Sequence, residues 1–271
     1  MNSATTADLR VLKVAADSSH HADDIVAREE PLEIRVEGRS VAVVMRTPGH
    51  DEELATGFLV SEGVIKHPRD ILEVSQCPSV NNQHGNIVDV LLGGAIVDWD
   101  HLTRHVFSTS SCGLCGKTSL QSIFQHFPAV PPSPWQIQPA LLATLPDLLR
   151  QSQPAFAKTG GLHACAIFDL QGHLQCIRED VGRHNALDKI LGYALQNGLL
   201  PLQNHILLLS GRVSFEMMQK ALAAGIPLIA AISAPSSLAV EFAENSGQTL
   251  IGFLRGQTMN IYAHPQRVKT A

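Results

Sequence analysis

Cysteine is sparse in this chain, five among 271 residues, and two other features are missing outright: a long apolar run and an excess of positive charge. No stretch of about 18 consecutive apolar residues occurs, so no helical membrane span is expected. The first 24 residues, Met1 to Asp24, hold no apolar segment of signal-peptide length, and a cytoplasmic location is expected. Lysine and arginine number 20 against 25 aspartates and glutamates, a formal net charge of −5, which argues against nucleic acid or an anionic membrane surface as partner. In a reducing compartment the few cysteines are free thiols, not a disulfide framework. No internal repeat is visible. What remains is 45% hydrophobic and 17% charged, the balance of a globular chain, long enough to bury a large core in one large or two modest domains.

Against this scarcity, Ser110-Ser111-Cys112-Gly113-Leu114-Cys115-Gly116-Lys117 places two thiols three residues apart between glycines. Thr118 to Gln125 carries apolar residues at helical spacing, so the pair is expected on a loop entering a helix N-terminus. Such a position, with Lys117 alongside, favours thiolate over thiol and can lower a cysteine pKa by roughly one to several units from its free value of about 8.5. Three chemistries compete for the motif. Half of a zinc site needs a second ligand pair, but Cys77, Cys165 and Cys176 are scattered and no CxxH or HxxxH appears, so no metal centre is expected. A thioredoxin-like pair belongs after the first strand of a βαβ unit, whereas here much of the chain precedes it. The third reading is a nucleophilic cysteine that carries a group, with the second thiol assisting.

Organisation follows from pattern. Residues 1–24 read as a flexible tail, 25–127 as an N-terminal α+β domain carrying the CxxC loop, 128–137, with four prolines between Pro128 and Pro134, as a connector, and 138–271 as a layered α/β domain. Glu30 to Arg46 is a predicted hairpin, with Leu32, Ile34 and Val36 on one face and Val41, Val43 and Met45 on the return. Asp51-Glu52-Glu53 opens a helix, and Asn86 to Leu92 is a strand. In the second half a helix over Ala140 to Arg150 precedes a hairpin from Leu162 to Arg178, in which a four-residue turn would set Cys165 opposite Cys176, both as core residues. Helices over Arg183–Gln196, Ser214–Ala224 and Ser236–Asn245 then alternate with strands over His205–Leu209, Ile226–Ile232, Thr249–Leu254 and Met259–Tyr262. The uniformly apolar strands are expected in the centre of a sheet covered on both faces.

In such a sheet ligands bind at the carboxyl ends of the strands. Ser210-Gly211-Arg212-Val213-Ser214 is a strand-to-helix turn suited to an anion: backbone N–H groups, the helix dipole and Arg212 all favour phosphate. Ser233 to Ser237 is a second such turn, in which Ser236 can serve simply as a helix cap, as can Ser214 in the first. Arg178 to Asn185 packs Arg178, Arg183 and His184 around Gly182, either as a solvated cluster or as a wall of a phosphate or pterin pocket. Phe253, Leu254, Arg255, Gly256 and Gln257 end a strand with an aromatic, a cation and a glycine that can lie against a ring.

The tracts from Ser110 to Lys117, Thr159 to His163, Arg178 to Lys189, Ser210 to Glu216 and Ala231 to Ala239 together resemble the FdhD family of formate dehydrogenase accessory proteins, from about Glu30 to Arg267. The resemblance implies a sulfur carrier of molybdenum cofactor maturation. Such a protein takes persulfide sulfur from a cysteine desulfurase and passes it to a bis(molybdopterin guanine dinucleotide) cofactor bound for formate dehydrogenase. It implies Cys112 as the persulfide carrier, Cys115 as its assistant, Phe253 to Thr258 as a cofactor contact, a guanine nucleotide site on a C-terminal domain similar to the cytidine deaminase fold, and a homodimer. The deaminase zinc signature is absent, since Ala164-Cys165 follows His163 and no Pro-Cys-x-x-Cys occurs. The alternative is a chaperone that delivers the guanylated cofactor without sulfur chemistry.

Overall fold

The computed structural model describes residues 5–79, 82–94, 97–99, 102 and 127–269. Strands β1 (Thr6–Ala15) and β2 (Ser18–Ala27) pair antiparallel from Thr6 against Ala27 to Ala15 against Ser18. The tail expected over residues 1–24 is therefore a hairpin from Thr6 onward. Its alternation is hard to read because it has no buried face: Leu9, Leu12 and Val14 are all exposed.

Next come β3 (Glu30–Val36) and β4 (Arg39–Arg46), joined through Glu37 and Gly38, whose φ of 52° and 75° put both in the left-handed region that a tight hairpin turn demands. Leu32, Ile34 and Val36 are buried as expected, but Val43 and Met45 are exposed. The register shifts between Ile34 and Arg35, so Val41 has no opposite number and the inward parity passes to Ala42, Val44 and Arg46. With β5 (Ile71–Ser79) and β6 (Asn82–Leu92) these strands form a sheet in the order β4-β3-β6-β5, in which β3 and β6 are parallel.

The larger sheet comprises β7 (His163–Asp169), β8 (Leu174–Asp180), β9 (His205–Leu209), β10 (Leu228–Ala231), β11 (Thr249–Arg255) and β12 (Thr258–Ala263), in the order β12-β11-β10-β9-β7-β8. β9, β10 and β11 are parallel, while β7, β8 and β12 run antiparallel to their neighbours. Period-2 alternation sorts its apolar residues onto two faces. Ala164, Ala166, Phe168, Ile206, Leu208, Leu228 and Ala230 pack with Leu142, Leu145 and Leu149 of α2 (Pro139–Gln151). Cys165, Ile167, Leu207, Leu209, Ile229 and Ala231 face α4 (Arg183–Gln196), α5 (Phe215–Ala223) and α6 (Ser237–Ser246). Helix–sheet–helix layering is the mixed α/β class expected. A short α3 (Pro154–Thr159), not foreseen, has its first N–H groups capped by Glu179, which accepts from Ala155 N at 3.1 Å and Phe156 N at 2.7 Å. Among the described residues no helix is long and apolar enough to cross a membrane.

One hydrophobic core runs from Leu32 and Val88 under the small sheet to Ile229 and Leu250 in the large one. Its hinge is the contact of α1 (Asp51–Ser61) with α4. A Cβ on Gly57 would stand 1.7 Å from Asp188 O, and one on Gly192 would stand 1.9 Å from Glu53 O, so the two backbones touch where only glycine fits. Ion pairs seal the rim: Arg178 donates from Nη2 to Glu53 Oε1 at 2.6 Å, and Lys220 Nζ reaches both Asp188 oxygens at 2.9 Å and Ser61 Oγ at 2.8 Å. The proline-rich connector is fastened by the buried Arg267, which donates to Pro131 O, Ser133 Oγ and Gly247 O.

Candidate functional site

The sheet topology gathers the chain's polar turns at one edge. β9, β10 and β11 end there; β7, antiparallel to β9, begins there at His163, and β8 ends there at Asp180. Helices α4 and α5 start at the same edge, so their N–H groups and positive dipole ends face it. Two strand-to-helix turns are stitched together by Val213 N donating to Ala234 O at 3.1 Å and Ser236 N donating to Val213 O at 2.9 Å.

These turns differ in one respect. Ser236 Oγ accepts from Ala239 N at 3.2 Å and is a plain N-cap of α6. Ser214 occupies the same position on α5 with an extended backbone, yet its hydroxyl makes no cap bond and is buried with no partner among the described residues. Ser210 Oγ accepts from Ala164 N at 2.8 Å, locking the turn onto β7.

At the same edge, Arg183 is the first residue of α4, and its Nε is likewise buried without a partner among the described residues. A buried donor or acceptor left unsatisfied costs about 1–3 kcal/mol, and Arg183 Nε and Ser214 Oγ are two such atoms among the described residues. His184 Nε2 lies 2.8 Å from Glu216 Oε2, short of hydrogen-bond alignment, and holds that carboxyl below the usual range against the burial that would raise it. His163, singled out in the sequence only as part of a motif, extends over Gly211, where a Cβ would be 3.0 Å from the imidazole Nδ1. Arg212 is exposed at the mouth. Beneath them Asp180, fully buried, accepts from Gly182 N (2.8 Å), Asn185 Nδ2 (3.0 Å) and Thr47 N (3.1 Å) and pairs with Lys189 Nζ at 2.7 Å.

A family model described as FdhD/NarQ matches residues 27–269 of this chain. The chain belongs to the FdhD/NarQ family. Relatives named sulfur carrier protein FdhD include that of Streptomyces coelicolor, 50% identical over 265 residues and covering 96% of this chain and 94% of its own. That of Mycobacterium tuberculosis is 48% identical over 271 residues, 97% of this chain and 98% of its own, and that of Sulfolobus acidocaldarius is 43% identical over 260 residues, 96% and 97%. A crystal structure from Desulfotalea psychrophila, of a protein assigned as a formate dehydrogenase accessory protein, matches with a TM-score of 0.78 at 25% identity, covering 98% of this chain and 100% of that one.

Within this FdhD/NarQ chain the remaining candidate residues divide. Phe253 sits at a register shift between Gly252 and Arg255 with φ of 52°, an unusual conformation for an aromatic, and is 38% exposed beside Ser233, whose carbonyl accepts its N–H at 3.1 Å. Gly252 makes this possible, since a Cβ there would meet Pro235 Cδ at 2.8 Å. Arg255 lies 5.6 Å from the Phe253 ring and donates from Nε to Ile232 O at 2.9 Å. Gly256 turns the chain at φ 53°, Gln257 is exposed, and Thr258 Oγ1 donates to Arg255 O at 3.1 Å.

Two expected ligand contacts fall elsewhere. Leu254 is fully buried among the apolar residues facing α2 and presents no side chain to a ligand, because strand alternation turns it away from Phe253. Arg178 is committed to Glu53, with its guanidinium also 5.1 Å from the Tyr193 ring centroid, and serves the seam between α1 and β8.

Cys112 and Cys115 lie outside the described residues. Cys165 and Cys176 are buried free thiols. They are not opposite one another: Cys165 pairs with Arg178 and Cys176 with Ile167, because Phe168 pairs with Leu174, one residue beyond the partner a four-residue turn gives, and the register shifts by one more between Ile167 and Phe168. Burial, reinforced by Asp188 and Asp180, pushes the Cys165 thiol far up, and burial pushes Cys176 up to about 12. Neither is a nucleophile at neutral pH. Among the described residues no group of three His, Cys, Asp or Glu could hold a metal ion.

Proposed function

We infer that this chain is a cytoplasmic sulfur carrier for the maturation of a molybdenum-dependent formate dehydrogenase. It accepts persulfide sulfur from a cysteine desulfurase on Cys112, with Cys115 assisting, and passes it to a bis(molybdopterin guanine dinucleotide) cofactor whose nucleotide end is held at the edge where β9, β10 and β11 end. The observation that carries this reading is that Arg183 Nε and Ser214 Oγ, at the starts of two helices, are buried with no partner among the described residues, in a chain about half identical to proteins named sulfur carriers. Exposed Phe253, with the Arg255 guanidinium nearby, supports a planar ring at the far end of the same edge.

Sulfur moves by two exchanges. The Cys112 thiolate attacks the terminal sulfur of the desulfurase persulfide; the donor S–S bond breaks, a new one forms on Cys112, and the donor cysteine leaves as thiolate. The Cys115 thiolate then attacks the Cys112 sulfur, forming a disulfide and releasing hydrosulfide to the cofactor metal. Two electrons pass from the thiol pair to the carried sulfur, and a dithiol reductant restores the pair. Cys165 and Cys176 are buried with raised pKa values, which supports the CxxC pair over either of them as the carrier. Incubation with a cysteine desulfurase and labelled cysteine should leave one labelled sulfur on a peptide containing Cys112, lost in Cys112→Ala. Full label in that variant contradicts the assignment. The chaperone reading would be favoured if Cys112→Ala/Cys115→Ala still activated formate dehydrogenase fully.

A further inference from the structure

His163 has no part in the reading above, yet it begins β7 at the same edge of the sheet. Its ring rests on the Cβ side of Gly211, 3.0 Å from where a side chain would begin, so glycine at 211 is what gives the imidazole its place. Half-buried, it makes no hydrogen bond to any described residue. The charged groups facing it come from three elements: Arg183 and His184 from the start of α4, Arg212 from the turn into α5, and Asp180 from the end of β8. Glu216 of α5 is engaged with His184, and Asp180 is spent on Lys189 and three N–H donors. Among the described residues, the acids near the ring are therefore already engaged.

We propose that His163 is a further ligand-binding residue of this crevice, a neutral imidazole that takes a proton from solution as a phosphate-bearing ligand enters and then donates to it. The proposal rests on the crevice being the nucleotide site. Burial, and after it Arg183, His184 and Arg212, hold the ring below its ordinary value of 6.5, with Asp180 opposing. A phosphate placed against Arg183 and Ser214 reverses the local field and favours the charged imidazolium. The sign follows from linkage. The bound-state pKa exceeds the free-state one, so the contribution of His163 to affinity is present at low pH and lost as pH rises through the bound-state value, by up to about tenfold in Kd per pH unit for one proton.

The test is calorimetric titration of the full-length protein with guanosine diphosphate at neutral pH, in two non-phosphate buffers of different ionisation enthalpy, which counts protons exchanged on binding. Wild type should take up a substantial fraction of a proton more than His163→Gln, and Gly211→Ala, which crowds the ring, should lose the same fraction; unchanged melting temperatures show that both variants are folded. Binding with equal proton counts in wild type and His163→Gln overturns the role of His163 and leaves the crevice reading intact. No binding of guanosine diphosphate to wild type overturns both.

Discussion

At the scale of single residues, side chains spent on the fold differ from those that find no partner among the described residues. Glu53 belongs to the first kind. Burial alone would raise its pKa, but hydrogen bonds from Arg178 and His50 outweigh it and hold the carboxyl at about 2 against an ordinary 4.5. A depressed carboxylate stabilises above its unfolded value and loses that contribution as pH falls, here between about 4.5 and about 2, an amount on the order of 3 kcal/mol. Urea unfolding of Glu53→Gln should accordingly show a shallower loss of stability across that window than wild type, by about one proton; parallel curves would refute the pairing. Arg178 illustrates why such roles are hidden in a sequence, since its partner lies 125 positions away and an arginine in a charged cluster looks the same whether it binds a ligand or a glutamate. Ser214 and Arg183 stand out in the sequence as candidates, yet a helix cap and a solvated charge cluster explain them equally well there; only coordinates distinguish the Ser214 hydroxyl, without a partner among the described residues, from the capping one of Ser236.

At the scale of elements, what could be read and what could not follows the length and purity of the apolar pattern. Strands β9 and β10, each with four consecutive apolar residues, declare themselves, and so does α4, whose apolar residues recur at helical spacing over 14 residues. Hairpin β1–β2 did not, since alternation carries information only when one face is buried, and the return strand β4 was misread after Val41 because a bulge leaves no trace in composition. The α1–α4 crossing is a further case: Gly57 and Gly192 look like weak points of two helices until their backbones are seen to touch. Alanine at either position should destabilise the protein by about 3 kcal/mol through overpacking, read as a lower urea midpoint with unchanged m-value. A midpoint equal to wild type would mean that the helices can separate without cost.

For the whole molecule, the connector at 128–137 suggested two domains, and the sequence does divide into a small four-stranded and a large six-stranded sheet on either side of it. The packing joins them. One apolar cluster passes from Leu32 through Leu54 and Leu187 to Ile229, and Asp180 of the large sheet accepts Thr47 N from the small one. Calorimetric unfolding should therefore be a single cooperative transition; two resolved transitions, one for each sheet, would show that the seam is not a core. Such continuity ties the start of α4 to both sheets through Asp180 and Lys189.

The most direct test of the account is a crystal of this protein soaked with guanosine diphosphate. The phosphates should lie against Arg183 Nε and Ser214 Oγ at the N-termini of α4 and α5, with the base directed along the edge towards Phe253. Phosphates bound elsewhere on the protein, with Ser214 and Arg183 still partnerless, would contradict it.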